Sequence, residues 1–127
     1  MMTTALQQAF AAELDAAQDN WRQGRLDAAF THLENAHVLG QRRLGWHFHV
    51  HLWMLRVGWA KRDQREILGQ LWRLFLTPLG HLTGRLPIGN TGGANVNAFT
   101  PMPVRKELEE VLRGEGMESK SDNGLGD

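Results

Sequence analysis

Residues 46–53 read WHFHVHLW, and whether this stretch is a strand or a helix decides the fold. Three histidines, His47, His49 and His51, stand two apart with apolar residues between them. Such alternation is typical of a strand, which would place all three imidazoles on one face. The flanks favour a helix, because apolar residues continue at helical spacing at Leu44, Phe48, Leu52, Leu55 and Trp59. We therefore predict a helix over about 44–61.

The rest of the pattern predicts an all-α fold. Apolar residues recur three and four apart over about 3–23, 26–39, 44–61 and 64–76, and glycines or a proline separate these segments. The fourth helix is expected to stop before Pro78, since the residue preceding a proline is disfavoured in the helical conformation. We expect a compact four-helix arrangement of antiparallel helical hairpins.

After Pro78 the sequence becomes rich in glycine, asparagine, threonine and proline and has no period. The GNTGGAN stretch, 89–95, predicts a turn and not a phosphate-binding loop, because no strand precedes it and no lysine follows it. Long irregular segments inside a domain commonly pack over a site. We therefore expect this segment to lie over the helices, with a short helix at about 104–113. The predicted organisation is one domain, 1–113, and a disordered tail, 114–127.

Composition excludes several classes of function. The chain has 127 residues with 14 basic and 14 acidic side chains, a balance that argues against general nucleic-acid binding. It has no cysteine, which excludes disulfides and thiolate metal sites. The N-terminal stretch lacks the pattern of a signal peptide, and no run reaches the roughly 18 apolar residues of a membrane span. We expect a soluble, cytoplasmic protein.

Metal-capable side chains fall where the predicted core should lie. On a helix, His47 and His51 share one face about one turn apart, a spacing that can bind one ion through two imidazoles. His37 lies on the apolar stripe of the second helix and Glu13 on that of the first, where an ionisable group needs a partner or a metal. Glu34 precedes His37 by three, the Glu-x-x-His spacing of metal-binding bundles. We predict one divalent transition metal (Zn, Ni, Co, Cu or Fe) held by the three histidines, with both glutamates as further candidates.

Other interpretations of these residues stay open at this point. The histidines could form a metal-free polar cluster in the core, with Glu13 bonded to His37 or Arg22, or they could be exposed and unrelated. With only three protein ligands, a metal would keep an open position suited to a hydrolase or an Fe(II) oxygenase. An enzyme acting on a small ligand under the GNTGGAN stretch is a further alternative. The sequence identifies no nucleophile and no general base beyond Glu34. The remaining histidines, His32, His49 and His81, are assigned to the surface or to packing.

Residues 17–36 are similar to a tetratricopeptide repeat, because small residues fall where two antiparallel helices of that repeat approach closely, at Ala17, Gly24, Ala29 and Ala36. This weak likeness suggests an alternative function, a protein-interaction module without metal. Its groove would meet an acidic protein partner through basic side chains at Arg56, Lys61, Arg62 and Arg65. The apolar edge expected after the fourth helix makes a homodimer a further expectation.

Three blocks of the chain carry a resemblance to a known family: AAFTHLENAHVLGQ (28–41), HFHVHLWMLRVGW (47–59) and GRLPIGNTGGANVNAFTPMP (84–103). Together they resemble a family of short bacterial proteins known only as a domain of unknown function, over most of residues 5–112. The resemblance implies no activity. Members of that family are associated with genes for heavy-metal resistance and cation efflux, so the resemblance implies a role in metal homeostasis or resistance.

Overall fold

The computed structural model describes residues 4–84 and 89–114, and this part of the chain is all-helical, without a strand. Its five helices are α1 (Ala5–Arg22), α2 (Leu26–Gly40), α3 (Leu44–Ala60), α4 (Gln64–Thr83) and α5 (Lys106–Gly114). α1 packs on α2 and α3 on α4 as two hairpins, α2 joins them through α3, and α5 contacts α1 and α2. The predicted all-α class is confirmed, including a helix over 46–53. The predicted disordered tail lies outside the described residues beyond Gly114.

Local signals explain where the first helices begin and end. Thr4 caps α1 in a reciprocal box. The Thr4 hydroxyl accepts from the Gln7 backbone N–H at 3.0 Å, and the Gln7 side chain accepts from the Thr4 backbone N–H at 2.8 Å. The turn after α1 places Gly24 at φ +78°, a conformation that side chains with a Cβ disfavour. Asp63 caps α4 by accepting from the Glu66 backbone at 3.1 Å.

α4 is longer than the sequence predicts, and the expected stop before Pro78 is wrong. The helix runs through the proline to Thr83 and ends at Gly84, which has φ +75°. Proline removes one backbone donor from the helix but does not prevent its continuation when packing supports the following turn. Here that turn carries His81 to within 3.0 Å of His47 on α3. Tertiary contact therefore outweighs the local preference.

The buried side of α4 is polar, and much of its exposed side is apolar. The apolar core is built from α1, α2, α3 and α5 and includes Leu6, Phe10, Leu33, Leu39, Val50, Met54, Val57, Leu108 and Leu112. The buried residues of α4 are all polar or charged: Gln70, Arg73 and Thr77. Six of its nine large apolar side chains are exposed instead: Leu68, Leu71, Trp72, Phe75, Leu79 and Leu82. Because buried polar groups need partners, α4 faces a polar site. None of the helices described is long and apolar enough to cross a membrane.

The segment between α4 and α5, described from Gly89 onward, packs over the helices as predicted. The Gly89 backbone donates to the Gln41 side chain at 3.1 Å. Asn90 is buried, and its side-chain amide donates to the carbonyls of Asn97 and Thr100 at 2.7 Å each. These bonds fold the segment on itself and hold its first residues against the end of α2.

Candidate metal centre

Three imidazoles converge between α2, α3 and α4. The Nε2 atom of His37 lies 3.0 Å from Nε2 of His47 and 3.0 Å from Nε2 of His51, and all three residues are buried. One nitrogen from each ring falls within 4.8 Å of the others, in a group that could hold a metal ion. Bonds of about 2.0–2.1 Å in a tetrahedral site separate ligand nitrogens by about 3.3 Å. The cluster is therefore close to the spacing that one ion requires.

The second nitrogen of His37 fixes which of its atoms can bind. Nδ1 lies 2.7 Å from the Asn90 carbonyl oxygen, which can only accept, so Nδ1 carries the proton. A neutral ring then has a lone pair at Nε2. The Gly92 backbone, at φ +86°, packs closely against the same ring, since a Cβ added there would lie 2.5 Å from Cδ2 of His37. The irregular segment thus orients His37 by one bond and one close contact.

His51 is oriented by Gln70 of α4 in the same way. Nδ1 of His51 lies 2.7 Å from Oε1 of Gln70. The amide nitrogen of Gln70 donates to the Glu66 carboxylate at 2.7 Å and to the Gly92 carbonyl at 2.8 Å. Both of those groups only accept, so the amide orientation is fixed and Oε1 must receive the proton of His51. The lone pair of His51 is left at Nε2.

His81 is the partner of His47. Nδ1 of His47 lies 3.0 Å from Nε2 of His81. Burial lowers the pKa of His81, and a hydrogen bond to the Gln41 backbone acts in the opposite direction. A neutral His81 that donates its one proton to the Gln41 carbonyl would accept from Nδ1 of His47. In that tautomer the lone pair of His47 also lies at Nε2.

The cluster is neutral at physiological pH. Burial lowers the pKa of His37 well below its ordinary value, and the neighbouring His51 and His47 lower it further. Burial, with contributions from His51 and His81, lowers the pKa of His47 to about 3. Burial also lowers the pKa of His51 to about 4, and the hydrogen bond that His51 donates to Gln70 acts in the opposite direction. Neutral imidazole is the ligand form, so no proton has to leave before a metal binds near pH 7.

The structure does not bring Glu13 or Glu34 into this group. Glu13 contacts Nδ1 of His32 at 2.7 Å and accepts from the Asn35 side chain at 3.2 Å. Glu34 accepts from Arg105 at 3.2 Å. Burial raises the pKa of Glu34, and the Arg105 guanidinium lowers it in part. Each of the two carboxylates has a cation or imidazole partner of its own.

Sequence reasoning missed the residues that hold the three imidazoles. From the sequence, His81 is assigned to the surface or to packing, whereas the structure places it 3.0 Å from His47. Gln70 and Asn90 give no spacing signal of their own, since an amide that bonds to a histidine can come from any element. Gln70 could have been found from its position on α4, because it lies about one turn before Arg73, a second polar residue on the buried side of that helix.

Comparisons with known proteins place the chain in a family. No curated protein and no solved structure matches it at a significant level. The predicted resemblance is nevertheless confirmed at the level of the family. A sequence profile described as "protein of unknown function (DUF3703)" matches residues 4–112, most of the chain, and the protein belongs to this family.

Proposed function

We propose that this protein binds one divalent transition metal ion through the Nε2 atoms of His37, His47 and His51. The observation that carries the proposal is the convergence of three Nε2 atoms whose rings are each engaged at Nδ1. Bare lone pairs 3.0 Å apart repel, and a cation at their centre would turn that repulsion into three bonds. Neutral imidazoles suit Zn, Ni, Co, Cu and Fe, and the residues do not choose among them.

Glu13 and Glu34 are not part of the proposed ligand set, because their carboxylates are engaged with His32 and Arg105. Three protein ligands leave a fourth position for water or another molecule, as in open metal sites. Together with the resemblance to proteins associated with metal resistance, this supports a role in metal homeostasis or resistance.

The alternative of a protein-interaction module has less support from the described contacts. Lys61 forms an ion pair with Asp27 at 2.7 Å, and the Arg56 guanidinium lies 4.5 Å from the ring centre of Trp53. Two of the four cations proposed to meet an acidic partner therefore already have partners within the chain. A protein partner and a homodimer stay predictions.

Elemental analysis of untagged protein, purified without chelator, tests the proposal. We expect near one equivalent of a transition metal in the wild type and its loss in the His47→Ala/His51→Ala double variant. His49→Ala is the matched control, since His49 is on the same helix but exposed, and it should keep the metal. Free Zn²⁺ at about a thousandfold its dissociation constant should stabilise the wild type by about 4 kcal/mol in urea unfolding.

Circular dichroism shows whether the double variant is folded, and a His47→Gln single variant serves if it is not. A metal content that is unchanged in a folded variant would contradict the ligand assignment. A wild-type protein that takes up no Zn²⁺, Ni²⁺, Co²⁺ or Cu²⁺, with unchanged unfolding, would establish the metal-free polar core instead.

A further inference from the structure

The three imidazoles border a cavity of about 320 Å³. This size is at the lower end of the roughly 300–1,000 Å³ that ligand pockets span. One part of the wall is polar, with the histidines, Arg73 and Asn90. The rest is largely apolar and includes Leu76, Leu79, Ala98 and Phe99. Leu79 and Phe99 are exposed and stand where a ligand could enter.

Arg73 is a buried cation on this wall, and its Nε donor has no hydrogen-bond partner among the described residues. It is 7% exposed, and its two terminal nitrogens donate to the carbonyls of Gly69 at 3.1 Å and Val96 at 2.5 Å. Its Nε atom is buried without a hydrogen-bond partner among the described residues. A buried N–H without an acceptor is costly, and more so on a charged group.

The other side-chain donors on the wall are already used. The hydroxyls of Thr77 and Thr83 donate to the carbonyls of Arg73 and Leu79 at 2.7 and 2.9 Å. The Asn90 amide donates to two carbonyls of its own segment. Nε of Arg73 is thus the one side-chain donor nitrogen on the described wall that lacks a hydrogen bond. The guanidinium has five N–H groups and the two bonds above use two of them, so Arg73 keeps donors for an anion. The largely apolar remainder of the wall suits a ligand with an apolar body better than a phosphate, whose several oxygens all need polar partners.

The charge at the site also favours an anion. Neutral histidines bring no negative charge to a divalent ion, and Arg73 adds a further positive charge. No aspartate or glutamate lines the cavity in the described ranges, and none forms an ion pair with Arg73 there. Glu66 acts on Arg73 only electrostatically, and one of its oxygens accepts from both Gln70 and the Ala94 backbone.

We propose that the cavity binds a small monocarboxylate with an apolar body. Its carboxylate would lie between the open position of the metal and the Arg73 guanidinium, and its apolar part would pack on Leu76, Leu79 and Phe99. This inference rests on the proposed metal site and identifies the class of ligand that the site takes. It also explains why a histidine cluster should adjoin an apolar chamber and a buried arginine.

Cobalt-loaded protein gives a direct test, because the visible spectrum of Co²⁺ changes when its coordination changes. Metal content is measured first on every sample, and benzoate, benzyl alcohol and inorganic phosphate are then titrated in turn. We expect a saturable spectral change with benzoate, and binding at least about tenfold weaker for the other two. Arg73→Lys should weaken benzoate binding about tenfold without loss of cobalt.

A second variant pair covers the case in which Arg73→Lys does not fold. Leu76→Trp fills the cavity and should abolish the response to benzoate, whereas Leu68→Trp, on an exposed part of α4 outside the cavity, should not. Full cobalt content without a response to benzoate, or with phosphate binding as tightly, would overturn the carboxylate site alone. Absence of cobalt binding would overturn the metal site and the carboxylate site with it.

Discussion

His32 and His37 stand five residues apart on α2 and have opposite surroundings. Nδ1 of His32 contacts the carboxylate of Glu13 at 2.7 Å, and the side chain is 36% exposed. Nδ1 of His37 contacts the Asn90 carbonyl at the same distance, and the residue is 2% exposed. Five residues turn a helix by about 140°, so the two rings leave α2 on different sides.

The difference shows which property makes a histidine a candidate ligand. His32 has access to water, which can satisfy its second nitrogen. The second nitrogen of His37 faces Nε2 of two more imidazoles, whose Nδ1 atoms contact His81 and Gln70. The candidate site requires buried imidazoles, neutral hydrogen-bond partners and the convergence of three ring nitrogens. A hydrogen bond to one ring nitrogen is not sufficient. Four predictions test this contrast, from the largest expected effect to the smallest.

Acid should unfold the metal-free protein through the buried cluster. The unfolded chain takes up a proton at each histidine near the ordinary pKa of 6.5, whereas in the folded protein the pKa is about 4 for His51 and about 3 for His47. Between these values the unfolded state binds more protons, so stability falls as the pH falls. The loss should be about 1.4 kcal/mol per pH unit for each histidine.

Urea unfolding at several pH values from 6.5 to 4.5 measures this slope. The His47→Ala/His51→Ala variant removes two of the groups and should show a correspondingly flatter profile. An equal slope in the two proteins would mean that these histidines are not held neutral in the folded state.

Moving His37 should cost both stability and metal. In Gly92→Ala, the new Cβ would lie 2.5 Å from the His37 ring and the residue would keep a φ of +86°. Gly24→Ala is the matched control, since its φ is +78° but nothing lies within 4 Å of the added carbon. We expect about 1–2 kcal/mol for the backbone strain in both and a further 1–3 kcal/mol for the clash at Gly92. Only Gly92→Ala should also weaken Zn²⁺ binding, and equal affinities in a Zn²⁺ competition titration would argue against a role of this contact in placing His37.

Removing the amide that orients His51 should weaken metal binding with a smaller effect on the fold. Gln70→Ala leaves Nδ1 of His51 without its acceptor, and losses of such supporting bonds typically lower metal affinity about 10–100-fold. Asn35→Ala removes an amide that donates to Glu13 in the half-buried cluster of Glu13, His32 and Asn35, and it should leave affinity unchanged. Competition against a chromophoric zinc chelator gives both constants. A similar loss in the two variants would indicate a general effect of destabilisation.

The smallest effect is expected at this half-buried cluster of Glu13, His32 and Asn35. Glu13→Gln removes the carboxylate that contacts Nδ1 of His32 at 2.7 Å, and because His32 is partly exposed the loss of stability should be about 1 kcal/mol or less. Metal content should stay at one equivalent. If Glu13→Gln instead releases the metal, Glu13 is a ligand as the sequence first suggested, and the contrast between the two histidines fails.

The helix over 46–53 and the inward position of His37 could be predicted, because both depend on the local apolar period. The orientation of Glu13 could not be predicted in the same way. It lies on the apolar stripe of α1, but that stripe meets α2 on the side where His32 projects, and the angle between two helices does not appear in the sequence. Glu34 has the right spacing to His37, yet Arg105, which is 71 residues later, binds it.

The course of the chain around Pro78 could not be predicted from the sequence either. Local preference predicts a stop there, but the helix continues and brings His81 to within 3.0 Å of His47. Asn90 orients His37 through its backbone carbonyl, and Gly92 does so because it has no Cβ. Neither effect depends on a pattern of side chains. The three ligand candidates could therefore be found from the sequence, whereas most of the groups that orient them could not.

A long-range ¹H–¹⁵N correlation spectrum of the imidazoles, recorded with one equivalent of Zn²⁺, tests the central claim most directly. It distinguishes Nδ1 from Nε2 in each ring and shows which nitrogen binds the metal. We predict that His37, His47 and His51 carry their protons at Nδ1 and show a zinc-induced shift at Nε2, while His32 and His49 keep their metal-free signals. A zinc-induced shift confined to His32 or His49, or protons at Nε2 of the three buried rings, would contradict the account.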